Sequence, residues 1–132
     1  MIRLITLVLA VAAISAPVAG SAGAGSSASC SGAISWNTAK SAVGRIATVK
    51  GRVVDAKYAR WSNGRPTFLD LGRAYPSPSR FTIVIWSENR ASFGTPERRY
   101  LGRTVCVRGR VSTYKGVAQI EAVSPSQIAV AG

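Results

Sequence analysis

Apolar residues along this chain fall into short runs, separated by clusters of turn-forming residues. Ile46 to Tyr58, Thr67 to Leu71, Phe81 to Trp86, Thr104 to Tyr114 and Val117 to Val123 are rich in β-branched and aromatic residues. Such runs are predicted as strands. Between them lie Ser62-Asn63-Gly64, Leu71-Gly72-Arg73, Tyr75-Pro76-Ser77-Pro78, Phe93-Gly94-Thr95-Pro96 and Lys115-Gly116. Glycine supplies positive φ and proline pre-sets φ, so these stretches read as turns. Helix is expected only within Glu88 to Tyr100, interrupted at Gly94 and Pro96, and as a short turn over Ser35 to Ala42.

One stretch occurs twice. Gly44-Arg45-Ile46-Ala47-Thr48-Val49-Lys50-Gly51-Arg52-Val53 aligns without gaps with Gly102-Arg103-Thr104-Val105-Cys106-Val107-Arg108-Gly109-Arg110-Val111. Strand alternation places Val49, Gly51 and Val53 on one face, and Val105, Val107, Gly109 and Val111 on theirs. These faces read as core, with the glycines at sharp bends. Five strands with a helix between the third and fourth is the order of an all-β, five-stranded OB-fold barrel. Its first and fourth strands are neighbours, so Lys50, Arg52, Arg108 and Arg110 would form one outward basic patch beside Cys106. Like charges facing across strands are destabilising. Either a partner anion relieves them, or the long side chains splay into solvent.

The front of the chain predicts a compartment. Met1-Ile2-Arg3 precedes an uncharged run from Leu4 to Ile14, which breaks at Ala16-Pro17 and passes into small residues from Gly20 to Ser29. This is the layout of a secretory signal peptide, and the run is shorter than the roughly 20 residues of a membrane span. Ala22-Gly23-Ala24 fits a cleavage site; cleavage after Ala19 or Ala22 fits as well. The expected organisation is a leader over 1–24, a Ser/Ala/Gly-rich segment over 25–33 and the OB domain over 34–130. No second apolar stretch follows, so a secreted or periplasmic protein without a membrane span is expected. Lipidation of Cys30 is the alternative, but Ser27-Ala28-Ser29 lacks the usual leading leucine. The mature part, about 105 residues, is one domain by size. In an oxidising compartment Cys30 and Cys106 are a candidate disulfide. The alternative is two unrelated thiols, with Cys106 a buried small hydrophobe.

Charge narrows the partners. Seventeen Lys and Arg stand against five acids, Asp55, Asp70, Glu88, Glu97 and Glu121, for a net charge of +12. Such a field attracts nucleic acid, acidic wall polymers or anionic lipid. A GC-rich coding bias would explain arginine over lysine, but not the scarcity of acids. The chain has no histidine, which excludes His-based triads and His metal ligands. The five acids look scattered, without the close pair that glycoside hydrolysis or two-metal chemistry needs. No catalytic residue, metal or cofactor is expected.

Several stretches resemble a known family. Ile34-Ser35-Trp36, Pro66-Thr67-Phe68-Leu69-Asp70-Leu71-Gly72, Tyr75-Pro76, Arg80-Phe81-Thr82-Ile83-Val84-Ile85-Trp86, Tyr100-Leu101-Gly102 and Pro125-Ser126-Gln127-Ile128 are similar to small bacterial OB-fold domains labelled nucleic-acid or DNA binding. Some of these stand alone after a signal peptide; others are joined to thermonuclease-like domains. The resemblance covers about residues 30–128. It implies the barrel, and more weakly a nucleic-acid ligand, and it carries over no catalytic residues. Where the family has Asn-Leu-Gly, this chain has Asp70-Leu71-Gly72. A calcium-dependent nuclease built on Asp70, Glu88 and Arg73 or Arg80 can be imagined from the thermonuclease link, but no thermonuclease motif is visible.

The family-typical ligand surface uses the second and third strands and the loops after the first and fourth. The first of those loops is Lys57-Tyr58-Ala59-Arg60-Trp61-Ser62-Asn63-Gly64-Arg65. Lys57, Arg60 and Arg65 interleave with Tyr58 and Trp61, the mixture a single-strand binder needs for phosphates and bases. The other loop offers Tyr114 and Lys115. Alternatively, Tyr58 and Trp61 fold down as a lid on the barrel mouth. Phe68, Phe81 and Trp86 are expected in the core, Trp36 at the barrel bottom, and Tyr75 either beside the ligand face or capping its turn. Two binding functions compete: low-specificity binding of single-stranded nucleic acid, or docking on anionic envelope polymers or a protein partner through charge alone.

Overall fold

In the computed structural model, which describes residues 28–132, the two copies of the repeated stretch lie in the longest strands and pair with each other. They are β2 (Ile46–Tyr58) and β5 (Thr104–Tyr114), antiparallel from Ile46 opposite Arg110 to Arg52 opposite Thr104. The other strands are β1 (Ile34–Ser35), β3 (Thr67–Leu71), β4 (Phe81–Ile85), β6 (Val117–Glu121) and β7 (Ile128–Val130). Neighbours run β2-β3-β4-β6-β5, and the β2–β5 pairing closes the ring. The β4–β6 pairing is parallel and the other four barrel pairings are antiparallel. This is the five-stranded OB-fold barrel that the strand order predicts. Between β4 and β5 run α1 (Ser87–Arg90), a 3-10 turn at Ala91–Phe93 and α2 (Pro96–Tyr100). A 3-10 segment, Trp36–Ala42, precedes β2. The leader expected over 1–24 lies outside the described residues.

Val49 pairs with Val107, its own counterpart in the alignment, so an approximate two-fold axis passes between them. The strand-end hydrogen bonds obey it. Gly44 N–H donates to Val111 O and Gly102 N–H to Val53 O, both at 2.8 Å. Val111 N–H donates to Arg45 O and Val53 N–H to Arg103 O, both at 2.9 Å. Gly44 and Gly102 hold φ of 87° and 79°, a region glycine enters without steric penalty. Gly51 and Gly109, also counterparts, sit where β2 and β5 turn from each other toward β3 and β6. A Cβ on Gly51 would meet Leu71 and Trp36 at 3.0 Å, and one on Gly109 would meet Ile120 Cγ2 at 2.7 Å. Neighbouring side chains packed directly on the backbone therefore explain both glycines.

The valine faces are core, as alternation predicts: Val49, Val53, Val105, Val107 and Val111 are fully buried with Leu69, Leu71, Phe81, Ile83, Ile85 and Ile120. Trp36 packs on this core and lies against Gly51 and Gly72. Two flanking strands have no counterpart in the predicted elements. β1 adds in parallel to β2 at Val49 and Lys50, and β7 adds to β5 at Val105–Val107. Cys30 and Cys106 form a disulfide with Cα atoms 5.3 Å apart, which pins the segment leading into β1 onto β5. Among the described residues no helix is long and apolar enough to cross a membrane.

Candidate functional site

β2 changes parity half-way along. Its pairing with β3 slips between Val53 and Asp55, leaving Val54 as the extra residue of a bulge, 42% exposed. A bulge swaps which residues face inward. Before it the odd positions Val49 and Val53 face the core; after it Ala56 packs on the core, while Asp55 and Lys57 line a groove on the barrel side. Phe68 and Asp70 from β3, Thr82 from β4 and Gln119 from β6 continue that surface.

The groove has a volume of about 530 Å³ and is walled by three loops. Ala59 and Ser62 come from the loop after β2, Tyr75, Pro76 and Pro78 from the β3–β4 loop, and Tyr114 and Lys115 from the β5–β6 turn. The first loop is tied down: Ala59 N–H donates to Pro66 O at 2.8 Å, Ser62 N–H to Ala59 O and Arg65 N–H to Ser62 O at 3.0 Å. Gly64 approaches Trp86 so closely that a Cβ would sit 2.9 Å from the indole. The third is a two-residue hairpin in which Lys115 and Gly116 both take positive φ, 48° and 79°, the primed-turn geometry that suits strand twist.

Two carboxylates meet on the groove floor. Asp55 and Asp70 stand opposite each other across β2 and β3, which corrects the reading of the five acids as scattered. Their separation along the chain hides a pairing that the sheet register creates. Asp70 is buried and accepts the Thr82 hydroxyl on Oδ1 at 2.7 Å. Burial raises its pKa above the ordinary carboxylate value; Thr82 and Arg80 pull it back, and the charge of Asp55 pushes it up again. Arg80 Nε lies 3.5 Å from Asp70 Oδ1, an ionic contact without a hydrogen bond, since that nitrogen is buried and unpartnered. Its Nη1 donates to Ser77 O at 2.7 Å, and its guanidinium sits 5.0 Å from the Tyr75 ring centroid. Tyr75 N–H in turn donates to Asp55 Oδ2 at 3.3 Å.

Of the residues expected to bind, Lys57, Tyr114 and Lys115 line the groove. Arg60, Trp61 and Arg65 lie exposed on the loop beside it. Trp61 is 91% exposed, with Arg60 stacked 5.2 Å from its ring, so it does not fold down as a lid. Tyr58 is placed elsewhere. The bulge turns it away from the groove, and Arg90 covers its ring at 3.6 Å. Arg90 is itself fixed by two 2.7 Å hydrogen bonds to Glu97 and one of 2.6 Å to Thr67. Tyr75 belongs to the groove and is 70% exposed, and Phe68, expected in the core, is half-buried in the groove wall. Trp86 is half-buried too, just past the end of β4 and against Gly64. Phe68 was missed because a hydrophobic strand residue reads as core until its face is known.

Lys50, Arg52, Arg108 and Arg110 form a second, exposed surface on the other part of β2 and β5. The expectation that these cations face one another is corrected by the register. Lys50 stands opposite Cys106, Arg52 opposite Thr104, Arg108 opposite Thr48 and Arg110 opposite Ile46. Arg110 donates to Gly44 O at 2.6 Å and Arg108 to Thr48 Oγ1 at 3.3 Å. The stagger leaves no two of these cations directly opposite, although Lys50 and Arg108 remain diagonal neighbours on one face. Among the described residues no group of three or more Cys, Asp or Glu is placed to hold a metal.

No family model and no curated protein matches the chain. Among solved structures, the S. pombe Stn1–Ten1 complex is similar at 14% identity and a TM-score of 0.46, over 64% of this chain and 57% of that one. Entamoeba histolytica asparaginyl-tRNA synthetase, solved with asparaginyl-adenylate, is similar at 16% identity and 0.49, over 76% of this chain and 23% of that one. Entamoeba histolytica aspartyl-tRNA synthetase gives 14% and 0.43, over 68% and 19%. The chain thus spans less than two thirds of each, and no residue role transfers from likenesses so distant.

Proposed function

We propose that this is an exported, low-specificity binder of single-stranded nucleic acid, which lies in the groove between the loops after β2 and β5. One observation carries the reading: cations and flat rings converge on a single open cleft. Lys57, Arg80 and Lys115 share it with Phe68, Tyr75 and Tyr114, and Trp61 stands exposed on its adjoining loop. Cations serve the phosphates, and rings stack with bases at about 1–3 kcal/mol each. Export rests on the leader-like sequence and is supported by the disulfide, which persists in oxidising compartments. Fluorescence anisotropy with labelled oligonucleotides tests the reading. Affinity should fall steeply with salt, and Trp61→Ala and Tyr114→Ala should each weaken binding about tenfold. An unchanged affinity in both variants, with binding abolished by charge reversal at Arg108 and Arg110, overturns it.

A second reading, docking on an anionic envelope polymer, is favoured by the exposed cations Lys50, Arg52, Arg108 and Arg110, whose strand segments carry no aromatic residue. Competition among single-stranded DNA, heparin and wall polymer at one ionic strength separates the two. A stacking groove prefers DNA; a merely cationic surface does not.

A further inference from the structure

The groove holds two of the five acids of a strongly basic chain, a placement that works against a polyanion unless the acids meet something other than phosphate. We infer that Asp55 gives the groove a preference for guanine within single strands, an inference that rests on the nucleic-acid reading above. The two carboxylates are not equivalent. Asp70 is buried, satisfied by Thr82 and flanked by Arg80. Asp55 is only half-buried and lines the groove, and among the described residues only Tyr75 N–H donates to its carboxylate. An ionised carboxylate offers about four lone-pair sites, so most of its capacity faces the cleft.

A strand entering the cleft keeps its phosphates near Lys57 and Lys115 and turns base edges toward the acid floor. The neighbouring platform is already built. The Tyr75 backbone is tied to Asp55 and Arg80 covers one face of its ring; in the proposed complex a base stacks on the other face with its edge toward Asp55. Base chemistry then decides. Guanine carries two adjacent donors, N1–H and the N2 amino group, which match the fork of a carboxylate. Adenine and cytosine offer one amino group beside a ring-nitrogen acceptor. Thymine and uracil place a single N–H between two carbonyls, which the carboxylate repels.

The test is anisotropy with the oxidised full chain and an oligothymidylate of about twelve nucleotides, either unsubstituted or carrying separated dG or deoxyinosine. The dG oligonucleotide should bind about tenfold tighter than the thymidylate. Deoxyinosine, which lacks the N2 amino group, should lose most of that gain. Asp55→Asn, which keeps an acceptor for Tyr75 N–H, should erase the preference while tightening binding of the plain thymidylate. Equal affinity for dG and thymidylate overturns the inference and leaves the binding reading standing, as does a preference that survives in Asp55→Asn. Failure to bind any oligonucleotide overturns the binding reading itself and this inference with it. The inosine comparison needs no variant, so a misfolded Asp55→Asn protein still leaves the inference open to refutation.

Discussion

Val49 of β2 stands opposite Val107 of β5, and the two are also counterparts in the repeated stretch. The repeat is therefore a barrel-closing device. One short pattern, used twice and turned on itself, supplies the strand pairing, both glycine bends and a buried valine face on either side of the seam.

Symmetry of role should appear as symmetry of energetic effect. Gly44→Ala and Gly102→Ala each force a side chain into positive φ with nothing crowding the new Cβ. Each should lose about 1–2 kcal/mol in urea unfolding, and by similar amounts. Gly109→Ala, which drives a Cβ into Ile120, should lose about 1–3 kcal/mol through overpacking. A large difference between the first two variants would show that the seam is symmetric in geometry alone.

The Cys30–Cys106 bridge closes a sequence separation of 76 residues. On the chain-entropy account its removal by Cys30→Ala should lower stability by about 4 kcal/mol. Matched denaturation curves of wild type and variant, each with and without reductant, check this; reductant should shift only the wild type.

Asp70 carries a raised pKa in the folded state because burial disfavours its anion. The folded protein therefore binds this proton more tightly than the unfolded chain does, and stability falls as pH rises from the unfolded carboxylate value through the raised one. Asp70→Asn, which keeps an oxygen for the Thr82 hydroxyl, should be more stable than wild type near neutrality. The gap should close at about pH 3, below the ordinary aspartate value. Urea midpoints at the two pH values measure it, and a constant gap would rule out the burial account.

Glu97 shows the opposite sign. Two hydrogen bonds from Arg90 hold its pKa below the ordinary glutamate value. Its stabilisation is present above the unfolded value and is lost as pH falls through the folded one. Glu97→Gln should cost about 1–3 kcal/mol at neutral pH and flatten the acid limb. Near-UV circular dichroism should report the change, because Arg90 covers the Tyr58 ring.

The Asp55–Asp70 pair invites a nuclease reading, but Asp70 is occupied by Thr82 and neighboured by Arg80, a poor setting for a cation. Pure protein incubated with DNA and calcium should leave it intact. Rapid cleavage abolished by a chelator would show the opposite.

The sequence carried the barrel in plain view. The β2, β3 and β5 limits coincide with the apolar runs, and β4 and β6 end a residue or two early, at Ile85 and Glu121. β1 and β7, two and three residues long, are too short for any periodicity to mark. The groove was legible in part. Lys57, Tyr114 and Lys115 follow from the order of strands and loops, whereas the Asp55–Asp70 pair and the groove-facing Phe68 depend on register. The turn of Tyr58 away from the groove has no local mark, because Val53-Val54, where the bulge falls, looks like ordinary strand. Nor does local sequence reveal that Arg90, far along the chain, covers that ring.

That bulge gives β2 two reading frames. Upstream of Val54 the odd positions face the core and the even ones the outer face of the sheet; downstream the assignment is exchanged. Position 57 can therefore change without touching the core, while position 56 can be repacked without altering what the groove presents. A single extra residue thus lets groove chemistry and core packing vary separately on one strand.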